Sequence, residues 1–307
     1  MHISVLYHEL IDSLNVSPNG TYVDCTGGGG GHAALTLEKL SDNGRLIILD
    51  RDVDAVARLN EKFADDKRVI IVHSNFADID KALHNLGIEK VEGVYADFGV
   101  SSFQLQDGSR GFSFRKDGPI DMRMDTSSGE PVSEVVNTFS ESNLSTIIYK
   151  YGEERFARNI AKAIVTRRAV KPFTNTLDLA DVVRAAVPKK YHKKGIHPAT
   201  KTFQAFRIYV NGELEAVEAL MSKIASIIKE KGRFAAISFH SLEDRIVKEW
   251  LHQYSLSCIC PAEFPVCVCN KKAEFKIINR KPILPSEKEV AENPLSRSAK
   301  LRVAERV

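Results

Sequence analysis

The stretch TYVDCTGGGGGHAALTLEKL (21–40), followed by RLIILD (45–50), decides the fold. A β-rich run, TYVDCT (21–26), ends at polar residues and gives way to five successive glycines, Gly27 to Gly31. His32 then opens a helix on which Ala33, Leu37 and Leu40 share one face. The same rhythm continues downstream through RVIIVH (68–73) and VEGVYAD (91–97), with Val53, Val56, Ala57 and Asn60 expected on one face of the intervening helix. Short continuous apolar strands alternating with helices predict a mostly parallel, doubly wound α/β sheet covered on both faces.

The rhythm stops after residue 97. Residues 105–131 are rich in Gly, Asp and Arg and read as loop. Helical spacing then recurs without strands, in Leu144, Ile147, Ile148 and Tyr151, in Phe156, Ile160 and Ile164, and in Leu177, Ala180 and Val183. Leu214, Val217, Met221, Ile224 and Ile228 mark an amphipathic helix over 214–231, with Gly232 as its stop. RFAAISFH (233–240) is again a strand, and SLEDRIVKEWL a helix with Ser241 as N-cap and Asp244 completing a capping box. EFKIINRK (274–281) and KLRVAERV (300–307) read as closing strands. The 134 residues of 98–231 separate two strands of one sheet, where about a dozen would suffice for a crossover. The expected organisation is therefore an α/β domain, 1–104 with 206–307, carrying an inserted all-helical domain, 105–205.

The 307 residues are 43% hydrophobic and 27% charged, which supports a packed core and excludes global disorder. No apolar run approaches the ~20 residues needed to span a bilayer, and the start MHISVLYHEL has no basic region followed by an apolar block. Five cysteines in so long a chain do not form a disulfide scaffold, so a reducing cytoplasm is expected.

Glycines at the carboxyl edge of a sheet let the backbone approach a ligand closely. Asp50 ends the second strand about 20 residues on, where an acid can accept from ribose hydroxyls. The loop fits a dinucleotide fingerprint only loosely, as Gly28, Gly30 and Ala33. S-adenosylmethionine has no pyrophosphate and does not demand strict glycine spacing; a flexible turn is the third reading. After the fourth strand, Asp97-Phe98-Gly99-Val100-Ser101-Ser102-Phe103-Gln104 gathers an acid, two hydroxyls and an amide. Such a group suits methyl transfer to an exocyclic amine, whose N–H bonds it can accept, and has no evident use in hydride transfer. Ser101 and Ser102 could equally cap a turn.

RGFSFRKDGPIDMRMD (110–125), YGEERFARNIAKAIVTRR (151–168), HPATKTFQAFRIYVNGELE (197–215), ISFHSLEDRIVK (237–248) and NPLSRSAKLRVAERV (293–307) closely resemble the bacterial ribosomal RNA small-subunit methyltransferase H family, also called MraW. The resemblance runs from His2 to Val307. It implies a class I, Rossmann-like S-adenosylmethionine-dependent methyltransferase with an inserted helical domain. Its substrate would be N4 of a cytidine in the decoding region of 16S rRNA, within the small subunit or a late precursor. The family's cofactor contacts map onto Gly30, Gly31, His32, Asp50, Phe76, Asp97 and Gln104. Asp97, with Ser101, is the catalytic candidate. Phe98 and Phe103 stand where the family usually has Leu and Pro, and Gln106 where it has an acid. A nicotinamide-dependent oxidoreductase and an inactive RNA-binding assembly factor are the alternatives.

From Val182 to Gly212 there is no Asp or Glu, while Arg184, Lys189, Lys190, Lys193, Lys194, Lys201 and Arg207 are positive. Such a stretch suits a phosphate backbone, with the five lysines as RNA contacts; a solvated charged face is the plainer reading, and Arg155, Arg158, Arg167 and Arg168 offer a second path. Cys258-x-Cys260 and Cys267-x-Cys269 place four thiols in a short loop, as for a tetrahedral zinc. Other members of the resembling family lack these cysteines, so the zinc would be structural; free thiols or two disulfides are the alternatives.

Overall fold

A computed structural model describes residues 4–192, 195–261, 263–264 and 266–307. In chain order the elements are α1 (Tyr7–Ser13), β1 (Thr21–Asp24), α2 (Gly31–Lys39), β2 (Arg45–Asp50), α3 (Val53–Lys62), β3 (Val69–His73), α4 (Ile79–Asn85) and β4 (Val91–Asp97). Next come α5 (Ser102–Gln106), α6 (Val132–Thr138), α7 (Glu141–Gly152), α8 (Ala157–Arg168), α9 (Thr176–Ala186) and α10 (Thr200–Asn211). The chain ends with α11 (Glu213–Ile227), β5 (Ile228–Ser238), α12 (Ser241–Ser255), β6 (Phe275–Ile277), α13 (Glu287–Glu292) and β7 (Lys300–Arg306). Two compact units result, Met1–Gly99 with Leu214–Val307, and Val100–Glu213. No helix among the described residues is long and apolar enough to cross a membrane.

In the first unit seven strands run in the order β3-β2-β1-β4-β5-β7-β6. The first five are parallel to one another; β7 pairs antiparallel with β5 and with β6. The strands are apolar on both faces because each face has its own helix layer. Val23, Ile47, Val94 and Phe234 pack with Val217, Leu220, Met221 and Ile224 of α11. Tyr22, Ile48, Tyr95 and Ile237 pack on the other side with Leu10, Ala33 and Leu37. Strand order reverses between β1 and β4, the kind of crevice where open α/β sheets bind ligands at their carboxyl ends.

Several expectations about local structure are corrected. In α3 the buried stripe is Asp52, Ala55 and Leu59; Val53 is 48% exposed and Ala57 and Asn60 face solvent. Two stripes at helical spacing existed on this helix, and Leu59, the larger aliphatic anchor, takes the core. Leu177 is likewise exposed; Ala180 and Val183 are buried as expected, and Thr176 and Leu179 complete the buried face of α9. Helix α11 ends at Ile227, not at Gly232, because β5 already begins at Ile228. The β4–β5 register runs from Val91↔Ile228 to Gly93↔Arg233, so residues 229–232 form an excursion in the strand. Gly232 belongs to it: a Cβ there would stand 2.7 Å from the Glu92 carbonyl oxygen. The cap of α12 is His240, not Ser241, and Glu243, not Asp244, completes the box, accepting from the Phe239 N–H at 2.9 Å and the His240 N–H at 3.4 Å. Asp244 is engaged elsewhere, by Arg302 at 2.6 Å and Lys300 at 3.1 Å, and these cations hold its carboxyl below the usual range.

The second unit has helices and no β-strand among its described residues. Leu144, Ile148, Ile160, Ile164, Leu179, Val183, Phe203 and Phe206 are each at most 3% exposed and form its apolar interior. Asn211 ties the long 105–131 loop to α10: its Oδ1 accepts from the Met124 N–H at 2.7 Å, and its Nδ2 donates to the Met122 carbonyl at 2.7 Å.

Candidate active site

The glycine loop leaves β1 and is fixed from three sides. The Gly27 N–H donates to the Leu49 carbonyl at 3.0 Å, and the Gly30 N–H to the Gly27 carbonyl at 2.7 Å. Gly28 and Gly30 have φ of 52° and 68°, the left-handed region that disfavours side chains. At Gly27 a Cβ would lie 2.6 Å from Leu59 Cδ1, so the loop sits directly on α3. At Gly28 a Cβ would meet a single atom within 4 Å, the Thr26 carbonyl oxygen at 3.8 Å, so the backbone there borders open space. Lys62, in the last turn of α3, donates to the Gly29 carbonyl at 2.9 Å and the Gly30 carbonyl at 2.7 Å. Desolvation lowers its pKa.

Three acids end three neighbouring strands. Asp50 Oδ2 accepts from the Gly28 N–H at 2.7 Å, and Oδ1 from the Asp52 N–H at 2.8 Å. Burial raises its carboxyl despite these two N–H groups. Asp24 is 2% exposed and accepts from the Thr26 N–H at 2.9 Å. Burial first, and then the charge of Asp50, push it up to about 7 against that hydrogen bond. Asp97 is raised well above the carboxylate range, by burial and then by the charges of Asp24, Glu243 and Glu289. Its Oδ1 is buried with no hydrogen-bond partner, while its Oδ2 lies 4.0 Å from His32 Nδ1. His32 is 6% exposed, and its Nε2 lies 3.0 Å from the Val5 carbonyl. A carbonyl only accepts, so Nε2 donates to it. The ends of β1 and β4 are joined by the Asp97 N–H, which donates to Thr26 Oγ1 at 2.7 Å. Phe76 opens a short turn capped by Asn75 and packs on Phe98 at 5.6 Å between centroids.

The first unit thus brings together Gly30, Gly31, His32, Asp50 and Asp97 of the expected site. Sequence reasoning missed Asp24 and Lys62. Asp24 stands three positions before Gly27, at the end of β1, and could have been found from that position; Lys62 is 32 residues from the carbonyl it holds and carries no local signal.

Ser101 and Gln104 lie in the second unit, where they cap α5 reciprocally. Ser101 Oγ accepts from the Gln104 N–H at 3.2 Å, and Gln104 Oε1 from the Ser101 N–H at 3.0 Å. Lys189 and Lys190 are exposed on a short 3-10 turn, Lys189–Tyr191. Arg155 lies 3.8 Å and Lys190 5.1 Å from the centroid of the Tyr191 ring, so two cations and an aromatic ring share this surface. Lys193 and Lys194 lie outside the described residues. Lys201 is exposed, but its ammonium donates to the Glu153 carbonyl at 2.8 Å. Arg167 is paired with Asp178 at 2.5 Å, and Arg168 donates to the Val136 carbonyl at 2.7 Å. Cys258, Cys260, Cys267 and Cys269, in the first unit, are unbonded thiols gathered in one cluster, so neither disulfide is formed.

A sheet of this order with one antiparallel strand, a glycine loop after β1 and acids closing β2 and β4 define a class I S-adenosylmethionine-dependent methyltransferase fold. Residues 1–307 match the model of the MraW methylase family, and the chain belongs to that family. It is 50% identical over 307 residues to a protein of Clostridioides difficile named ribosomal RNA small subunit methyltransferase H, covering 100% of this chain and 99% of that one. A Caldicellulosiruptor bescii protein of the same name is 51% identical over 306 residues, with the same coverage. Among solved structures, an rRNA methylase from Streptococcus thermophilus aligns over 100% of this chain and 99% of its own at 10% identity and a TM-score of 0.44, too low to add to the topology above. Family membership removes the nicotinamide reading of the glycine loop.

Proposed function

We propose that the protein transfers the methyl group of S-adenosylmethionine to N4 of a cytidine in the decoding region of 16S rRNA, in the small subunit or a late precursor. The observation that carries the reading is the orphaned, buried Oδ1 of Asp97, at the carboxyl end of the strand beside the glycine loop. Buried acceptors are rarely left unpaired, and a ligand N–H would satisfy this one. The substrate class follows the relatives' names, and the cytidine N4 follows the family resemblance.

The residues present fit the cofactor. Open space at Gly28 and the left-handed loop admit a methionine moiety against the backbone. Asp50 keeps lone pairs for ribose hydroxyls after accepting two backbone N–H groups, and Phe76 offers an apolar face to a base. When bound, S-adenosylmethionine supplies an electrophilic methyl group on a sulfonium. Asp97 orients the target amine and is the acceptor for the proton that leaves it, with His32 beside it. Ser101 and Gln104 shape the start of α5. Alignment supplies most of the rate, and the target base leaves its stack to be methylated. Methyl transfer from labelled cofactor to small-subunit particles, followed by nucleoside analysis, is expected to yield N4-methylcytidine. Label in another nucleoside, or none, overturns the assignment.

RNA contacts are assigned to Lys189, Lys190, Lys193, Lys194 and Lys201. The carbonyl bond of Lys201 makes it the weakest of these. Replacing Lys189 and Lys190 together with Ala is expected to weaken RNA binding. It should also reduce the slope of log affinity against log salt by about 0.7–0.9 per lost phosphate contact. Cofactor affinity and the methylated position should be unchanged, because phosphate contacts position and do not specify. Titration of an rRNA fragment across a salt series checks this. A wild-type slope would make the stretch a solvated face.

A further inference from the structure

Cys258, Cys260, Cys267 and Cys269 take part in no step of methyl transfer, yet they stand together. Their sulfur atoms all lie within 4.8 Å of one another. Individual separations are 3.6 Å for Cys267 and Cys269, 3.9 Å for Cys258 and Cys269, and 4.0 Å for Cys260 and Cys267. A disulfide would need about 2.05 Å. A zinc ion holds thiolate sulfurs at about 2.3 Å, and at the corners of a tetrahedron that distance puts them about 3.8 Å apart. The observed separations bracket this value.

Two further observations concern the same segment. Backbone N–H groups serve the sulfurs: Ile259 donates to Cys269 Sγ at 3.4 Å, Cys260 to Cys258 Sγ at 3.4 Å, and Val268 to Cys260 Sγ at 3.3 Å. Such donors spread thiolate charge, as partners around a metal site do. Among its described residues the segment also lacks a core. Ile259, Phe264, Val266 and Val268 are 63%, 52%, 70% and 65% exposed. Fixing a backbone costs about 1–2 kcal/mol per residue, and these side chains bury too little apolar surface to offset it. Something other than packing holds the four sulfurs in place.

We propose that the four thiolates bind one zinc ion. All four positions are filled by protein, so the site is structural and leaves no open position for substrate. Zinc displaces the thiol protons on binding and ties Cys258 and Cys260 to Cys267 and Cys269.

The test uses the full-length protein, expressed without an affinity tag that binds metal and purified with reductant. Elemental analysis is expected to give about one zinc per chain, and the Cys260→Ser/Cys267→Ser variant roughly a tenth of that or less. Cobalt(II) added to the metal-stripped protein should produce thiolate-to-cobalt charge transfer and intense tetrahedral d–d bands, absent from the variant. The variant should keep its far-ultraviolet circular dichroism and cofactor affinity. If it does not fold, Cys258→His supplies the check, because a three-Cys, one-His site retains zinc and shifts the cobalt bands. Four thiols that still react freely with Ellman's reagent in native protein supplied with zinc overturn the proposal. So does a pair of disulfides in the native protein, or iron as the metal found.

Discussion

Asp97→Asn is expected to lower turnover at saturating cofactor about a hundredfold while changing cofactor affinity little. Asp50→Ala should do the reverse, weakening cofactor binding by roughly ten- to a hundredfold, as expected for charge-assisted hydrogen bonds worth about 1.5–3 kcal/mol, with turnover recovering at saturation. The two acids differ in their surroundings. Both oxygens of Asp50 accept backbone N–H groups of the ligand loop and of α3, so its geometry is committed to that end of the site. Asp97 has one oxygen with no partner, and its carboxyl is raised by burial and by neighbouring acids. An amine gaining a methyl group becomes cationic and must lose a proton, and a carboxylate of raised pKa is the better acceptor. Asparagine keeps an acceptor oxygen and loses that proton affinity. The sign with pH follows: the charged form is the active one, so the rate falls as pH drops through a pKa above the ordinary carboxylate range. Single-turnover rates at saturating cofactor, across pH, measure this. If Asp97→Asn weakens cofactor binding as much as turnover, with no residual defect at saturation, Asp97 belongs to cofactor binding alone.

Asp24→Asn is expected to stabilise the unliganded protein at pH 8 and to flatten its pH dependence. In the folded chain burial, and then the charge of Asp50, push the Asp24 carboxyl up to about 7 from an ordinary 3.8. Between those values the folded state holds a proton that the unfolded chain has released, so stability declines as pH rises through this window. Three pH units amount to roughly 4 kcal/mol as an upper bound. Asparagine retains the acceptor for the Thr26 N–H and has no charge to bury. Urea unfolding of both proteins between pH 4 and 8 should show curves that diverge toward high pH, with the variant the more stable. Parallel curves would mean that Asp24 titrates normally.

The sheet was legible because each strand is a short apolar run closed by a polar residue, and the burial of both faces is written in that continuity. Helix α11 was legible from Val217, Met221 and Ile224, all in the core. Spacing alone did not identify the buried face of α3, because Val53, Val56, Ala57 and Asn60 repeat as regularly as Asp52, Ala55 and Leu59. The cap of α12 was misread by one residue because histidine is not a usual N-cap, and Ser241 beside it is. The start of β5 was hidden by Lys229, Glu230, Lys231 and Gly232, whose charge and glycine read as a helix end but form an excursion in a strand. In the candidate site, the loop and Asp50 were visible as a motif. The brace from Lys62 was not, since it comes from packing α3 under the loop and leaves no mark on local sequence.

The partner strand of β4 has a consequence for how the chain is made. Asp97 of β4 pairs with Ile237 of β5, 140 positions later. A translating ribosome adds roughly 5–20 residues per second, so β4 emerges about 7–28 s before the strand that completes its ladder. During that time one side of β4 is an open edge, available to any other extended chain. Closing so long a loop adds little thermodynamic penalty, so the cost of the arrangement is one of timing. Nascent chains halted within the helical segment, between 100 and 213, are therefore the aggregation-prone species of this protein, and the second half of the sheet relieves the hazard once it arrives.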